Sequence, residues 1–153
     1  MYNLTSPIHD AYVGESDSVF SVVNDTAPFP NGKQWAVNDV SVVGFASVVP
    51  HSIAFPFTHT FIKPSVLKVA AKPNAITGVT PSVPKNKYKV VTRKGTKVNS
   101  TTNSMILVES YITIPAGAEN YSPGDVKAAL QLHQGALDQQ LSGVADVCIT
   151  GLF

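Results

Sequence analysis

The chain has 153 residues, of which 44% are hydrophobic and only 14% charged, with a formal net charge of +1. That length suits one domain with a buried core, and so low a charged fraction leaves much of the surface neutral or covered by a partner. A single cysteine, Cys148, excludes an internal disulfide, no window approaches the ~18 apolar residues of a membrane span, and residues 1–15 lack the basic start and apolar run of a signal peptide.

In chain order, residues 18–23 (SVFSVV) alternate and predict a strand. Residues 24–33 are dense in turn formers and predict a long hairpin loop, after which 33–43 (KQWAVNDVSVV) read as a strand again. Residues 44–64 are apolar but interrupted by Pro50 and Pro56, which predicts an irregular sheet edge. Residues 65–72 (SVLKVAAK) predict a strand and 73–86 a proline-rich connection. Residues 87–98 (KYKVVTRKGTKV) predict a β-branched strand whose Arg93–Lys97 end, with Gly95, reads as a turn. A polar loop at 99–104 leads into the clearest strand, 105–114 (MILVESYITI).

Helix is expected only after Pro115. Ser122 suits the N-cap, Pro123 the first helical position and Asp125 the third. Val126, Leu130, Leu137 and Leu141 then recur as one apolar stripe, on which His133 also lies. Gly143 is the expected stop, and 144–153 can form a second short helix. Cys148 there is expected to be a buried thiol, with an intermolecular bridge the alternative.

Strands first and helices last make an α+β pattern, with an antiparallel sheet and helices segregated to one side or end. One helix stripe is too narrow to cover about five strands. A second copy of the chain is the expected cover.

The net charge hides a block. Residues 1–39 hold one lysine against five acids, and residues 109–153 repeat that balance. Between them, residues 40–108 carry nine lysines and arginines and no acid. Such a block favours a polyanion, nucleic acid above all, over a merely solvated basic surface. Strand side chains alternate between faces. One face can therefore present Lys68 and Lys72, then Lys89 and Arg93, then Glu109 and Tyr111, although Lys87 and Lys94 compete for presentation on the middle strand. The cations would track phosphates, and the Tyr111 ring would stack an unpaired base or sit as a half-buried sheet aromatic. Glu109 would accept from a base amino group or neutralise a neighbouring lysine.

The chemistry of catalysis is missing from the pattern. His9, His51, His59 and His133 have no metal-motif spacing, the acids are too scattered to pair, and no nucleophile elbow or phosphate loop occurs. The expectation is no enzyme, no cofactor and no metal.

The segments NKYKVVTRK (86–94), MILVESYITIP (105–115) and SPGDVKAALQLHQGAL (122–137) resemble those of the coat proteins of single-stranded RNA bacteriophages, the leviviruses. The resemblance covers about residues 65–153. It implies one coat-protein domain over 1–153: an N-terminal β-hairpin region to about residue 45, a five-stranded antiparallel sheet over 46–115 and two C-terminal helices over 122–153. It further implies an interlocked dimer and an icosahedral shell whose inner sheet face meets viral RNA, with residues 99–104 lining the symmetry axes. The sites would be the virion and, before assembly, the host cytoplasm. Many members also bind a genomic stem-loop and repress replicase translation. The alternative is a dimeric, non-viral, sheet-based nucleic-acid-binding module.

Overall fold

The computed structural model of the protein describes residues 2–10, 18–41, 48–80 and 82–152. Six strands are formed: β1 (Ile8–Asp10), β2 (Ser18–Asp25), β3 (Gly32–Ser41), β4 (Phe57–Ile62), β5 (Lys85–Lys97) and β6 (Asn103–Pro115). They lie side by side in sequence order, and the pairings from β1 to β5 are all antiparallel. Helices α1 (Ala118–Tyr121), α2 (Pro123–Gln139) and α3 (Leu141–Thr150) follow. The α+β class is therefore as the sequence predicts; the strands predicted at 18–23 and 33–43 are β2 and β3, which pair within the sheet, and a three-residue β1 lies on the outer side of β2. The chain divides into two compact units, Met1–Ser65 with Lys87–Ile112, and Val66–Asn86 with Thr113–Phe153.

The core of the first unit is the buried trio Val22, Trp35 and Val37, against which Leu4, Ile8, Phe20, Val40 and Phe57 pack. Val37 and Val40 are an odd number apart, so simple alternation would put them on opposite faces. The register shifts between Ser21 and Val22, so that Val22 opposes Val37 while Phe20 opposes Val40. A bulge of this kind lets both valines serve one core.

Two strand expectations are corrected. Residues 44–64 are not an irregular edge, because β4 lies inside the sheet between β3 and β5. Pro56 stands immediately before the strand, so no ladder N–H is lost, and its carbonyl accepts the Gly95 N–H. The part of that expectation on residues 44–47, like the last two residues of the predicted 33–43 strand, lies outside the described residues. Residues 65–72, in turn, form no strand. They take no place in the sheet, where β4 pairs directly with β5. In the second unit Asn86 substitutes for a ladder: its Nδ2 donates to the Lys68 carbonyl at 3.1 Å and its Oδ1 accepts the Lys68 N–H at 2.8 Å.

Gly95 is not in a turn but inside β5. A Cβ there would lie 2.6 Å from the Phe55 Cα, so only glycine allows the chains to approach this closely. The 99–104 loop is tightened by the Asn99 side chain, whose Oδ1 accepts the N–H groups of Thr101 and Thr102.

In the second unit Ser122 caps α2 through its backbone only: its carbonyl accepts the Asp125 N–H, and its hydroxyl makes no cap bond. Pro123 opens the helix as expected. The single turn α1 precedes it and was not anticipated. Gly143 does not stop the helix; the break comes at Gln140, and Gly143 lies within α3. The left-handed glycine that ends α3 is Gly151, at φ 71°. None of the described residues of α1, α2 or α3 is buried. Leu130 and Leu137 of the predicted stripe are exposed, and so is Cys148, contrary to the expected buried thiol.

Candidate nucleic-acid interface

The register fixes which residues share a face. Thr58 opposes Arg93, Thr60 opposes Val91 and Ile62 opposes Lys89, so Lys89 and Arg93 stand on one side of β5 with Val91 between them. Val91 and its opposite number Thr60 are fully buried, whereas Lys89 and Arg93 remain half-buried. The same face of β6 brings Glu109 and Tyr111 alongside. Lys89 Nζ lies 2.5 Å from Glu109 Oε1 and 5.1 Å from the centre of the Tyr111 ring. The Tyr111 hydroxyl donates to the other carboxylate oxygen, Oε2, at 2.8 Å. Tyr111 itself is 63% exposed.

Four of the six candidate residues are therefore one cluster, with Lys89 and Arg93 on the same face as Glu109 and Tyr111. The electrostatics follow the contacts. The bond to Glu109, and next that to Tyr111, raises the Lys89 ammonium above its ordinary pKa. The same bonds to Lys89 and Tyr111 hold the Glu109 carboxyl below the usual carboxylate range, and the Arg93 charge adds to them. Of the two roles open to Glu109, it here neutralises a neighbouring lysine.

Lys68 and Lys72 belong to the second unit. Both are exposed and neither is in a strand, so strand alternation does not orient them. Lys94 turns to the other face of β5. Its Nζ donates to the Val49 and Gly95 carbonyls, both at 3.0 Å, and lies 5.0 Å from the Phe57 ring centre. Burial lowers its pKa. One of the nine cations of the basic block is thus committed to holding the fold.

That other face is aromatic and is occupied by the N-terminal segment. Tyr2 stacks on Phe61 with ring centres 4.5 Å apart, meets Trp35 edge-on at 5.5 Å, and has its hydroxyl 2.7 Å from His59 Nε2. His59 Nδ1 lies 2.9 Å from the Thr92 hydroxyl. Burial pushes the His59 pKa down and the Tyr2 pKa up. Sequence reasoning missed this cluster, since Tyr2 and His59 are 57 positions apart and no motif joins them.

Among the described residues no group of three His, Cys, Asp or Glu side chains is placed to hold a metal ion, and no helix is long and apolar enough to cross a membrane.

No family model and no curated protein matches the chain. Solved structures do. A virus-like particle of bacteriophage ESE020 has a chain that is 34% identical, with all of both chains covered and a TM-score of 0.93. A virus-like particle of Beihai levi-like virus 32 has a chain that is 13% identical over 88% of each chain, with a TM-score of 0.53, a likeness of fold alone. Identity of this degree along the whole of two chains with one fold leaves a single assignment, and the chain belongs to the levivirus-like coat proteins of bacteriophages.

Proposed function

We propose that this structural capsid protein dimerises, assembles into an icosahedral shell and packages single-stranded RNA against the sheet face that carries Lys89, Arg93 and Tyr111. What supports assembly is the end-to-end likeness to a virus-like-particle chain, joined to apolar surface that a single chain leaves uncovered. On β6, Met105, Ile106, Leu107 and Val108 are each at least half exposed, on both faces of the strand. β6 also ends the sheet, with no strand on its far side among the described residues. A long apolar edge of this kind demands a partner, as do three helices without a buried residue. A second copy supplies both covers at once.

The RNA reading rests on the cluster. Lys89 and Arg93 would contact phosphates, and the exposed Tyr111 ring offers a base the side that Lys89 does not cover. Lys68 and Lys72 would add phosphate contacts from the second unit. Phosphate neutralisation is enough for packaging, whereas repression of replicase translation would require recognition of one hairpin. The role is non-enzymatic, in the virion and, before assembly, in the cytoplasm of the bacterial host.

Expression in a bacterial host tests the reading. Electron microscopy should show closed particles, and their ultraviolet spectrum before any nuclease or high-salt step should carry the nucleic-acid maximum. A soluble, well-folded monomer would refute assembly, and particles free of nucleic acid would refute packaging.

A further inference from the structure

Glu109 is out of place on a face meant for phosphates. It ends an acid-free stretch of 69 residues, 40–108, and stands beside two of that stretch's cations. Its two carboxylate oxygens engage the two groups on which the packaging reading depends: Oε1 takes the Lys89 ammonium and Oε2 the Tyr111 hydroxyl. A carboxylate held in this way offers Lys89 what an RNA phosphate offers, an anionic oxygen at hydrogen-bond distance.

We propose that Glu109 is a built-in competitor of RNA: it occupies Lys89 in the free protein, and a phosphate gains that lysine only by displacing the carboxylate. The inference rests on the packaging reading and concerns how tightly the same face binds. The pair is partly exposed, with the Lys89 and Glu109 side chains retaining 31% and 25% of their accessibility. Exposed ion pairs contribute little to stability, so the contact is exchangeable rather than a structural lock. Tyr111 is coupled to the exchange, since the oxygen that accepts its hydroxyl belongs to the displaced carboxylate. The consequence is a moderated grip on a polyanion, from a chain whose basic block would otherwise bind more strongly.

Displacement has a proton signature. The charged and titratable groups facing the carboxylate are Lys89 and Arg93 on β5 and Tyr111 on its own strand, while the β4 residues on this face opposite β5, Thr58 and Thr60, are uncharged. Once a phosphate holds Lys89, Glu109 has lost its cation and gained an anionic neighbour. Both changes raise its affinity for a proton. RNA binding by the native chain should therefore tighten as pH falls into the carboxylate range.

The experiment is a binding titration of the full-length chain with a short oligouridylate, whose base does not titrate in that range, comparing native protein, E109Q, K89Q and the double variant. Glutamine keeps the size of Glu109 and an acceptor for the Tyr111 hydroxyl, so the fold is not at stake. E109Q should bind roughly threefold more tightly, the scale of one exposed ion pair, and should lose the pH dependence. K89Q should bind more weakly, and in its background E109Q should bring no gain, because the contested lysine is gone. Unchanged or weaker binding by E109Q would overturn the inference. An equal gain in the K89Q background would also overturn it, by showing general repulsion instead of competition for Lys89. Failure of the native chain to bind the probe at all would reject the RNA reading itself, a different result from native binding that E109Q leaves unaltered.

Discussion

At the scale of single residues, the sheet separates cations that look alike in the sequence. Lys89, Arg93 and Lys94 lie within six positions, yet Lys94 donates to two backbone carbonyls on the aromatic face. Lys89→Ala or Arg93→Ala should each flatten the salt dependence of RNA binding by about one phosphate contact. Lys94→Gln should leave that slope unchanged and lower the melting temperature instead, and a salt titration of the three variants checks the contrast. His59 gives a pH prediction. Burial holds its pKa below the ordinary value, so on acidification the unfolded chain takes up the proton first. Stability is full above the ordinary histidine pKa of about 6.5 and falls as pH drops through it toward the folded value. Melting curves should show this decline, and His59→Gln should flatten it. Asn86→Ala should cost about 1–3 kcal/mol in denaturant unfolding, because the Lys68 N–H and carbonyl both lose a partner.

At the scale of elements, what matters is how each strand and helix is covered. β4 becomes an interior strand because Pro56 falls just outside it and Gly95 lets the chain before it approach β5. Gly95→Ala forces a Cβ against backbone atoms of Phe55, which cannot retreat as a flexible side chain could, and should lower the yield of folded protein. α2 carries Val126, Leu130 and Leu137 of the predicted stripe, while Leu141 falls in α3, and one chain does not bury it: Leu130 is 38% exposed and Leu137 41%. If a second copy covers the stripe, Leu130→Asp places a charge in an apolar contact and should abolish soluble assembly, as sedimentation would record. Assembly unimpaired by Leu130→Asp would place the partner elsewhere.

At the scale of the whole molecule, the proposed assembly would let a chain with this much apolar surface on its edge strand and helices reach stability through copies of itself. Folding and association are then one equilibrium, so the apparent melting temperature should rise with protein concentration. A melting temperature independent of concentration over the range where particles dissociate would contradict that coupling.

The sequence by itself determined the order of elements, the α+β class, the long strands β5 and β6, the Ser122–Pro123 helix start and the segregation of charge. Each is written locally, in alternation, in capping residues or in composition, and the resemblance to levivirus coat proteins rests on the same local segments. The tertiary structure alone decided what depends on distant partners. It assigned the middle cations to their faces through the β4–β5 register, and it joined Glu109 to Lys89 across 20 positions. It left residues 65–72 out of the sheet, where β4 pairs directly with β5. It placed β4 inside the sheet despite the prolines before it, and it joined Tyr2 of the N-terminal segment to His59 in an aromatic cluster. Strand propensity describes how a segment prefers to extend, but pairing requires a free edge, and whether an edge is free is a property of the assembled sheet.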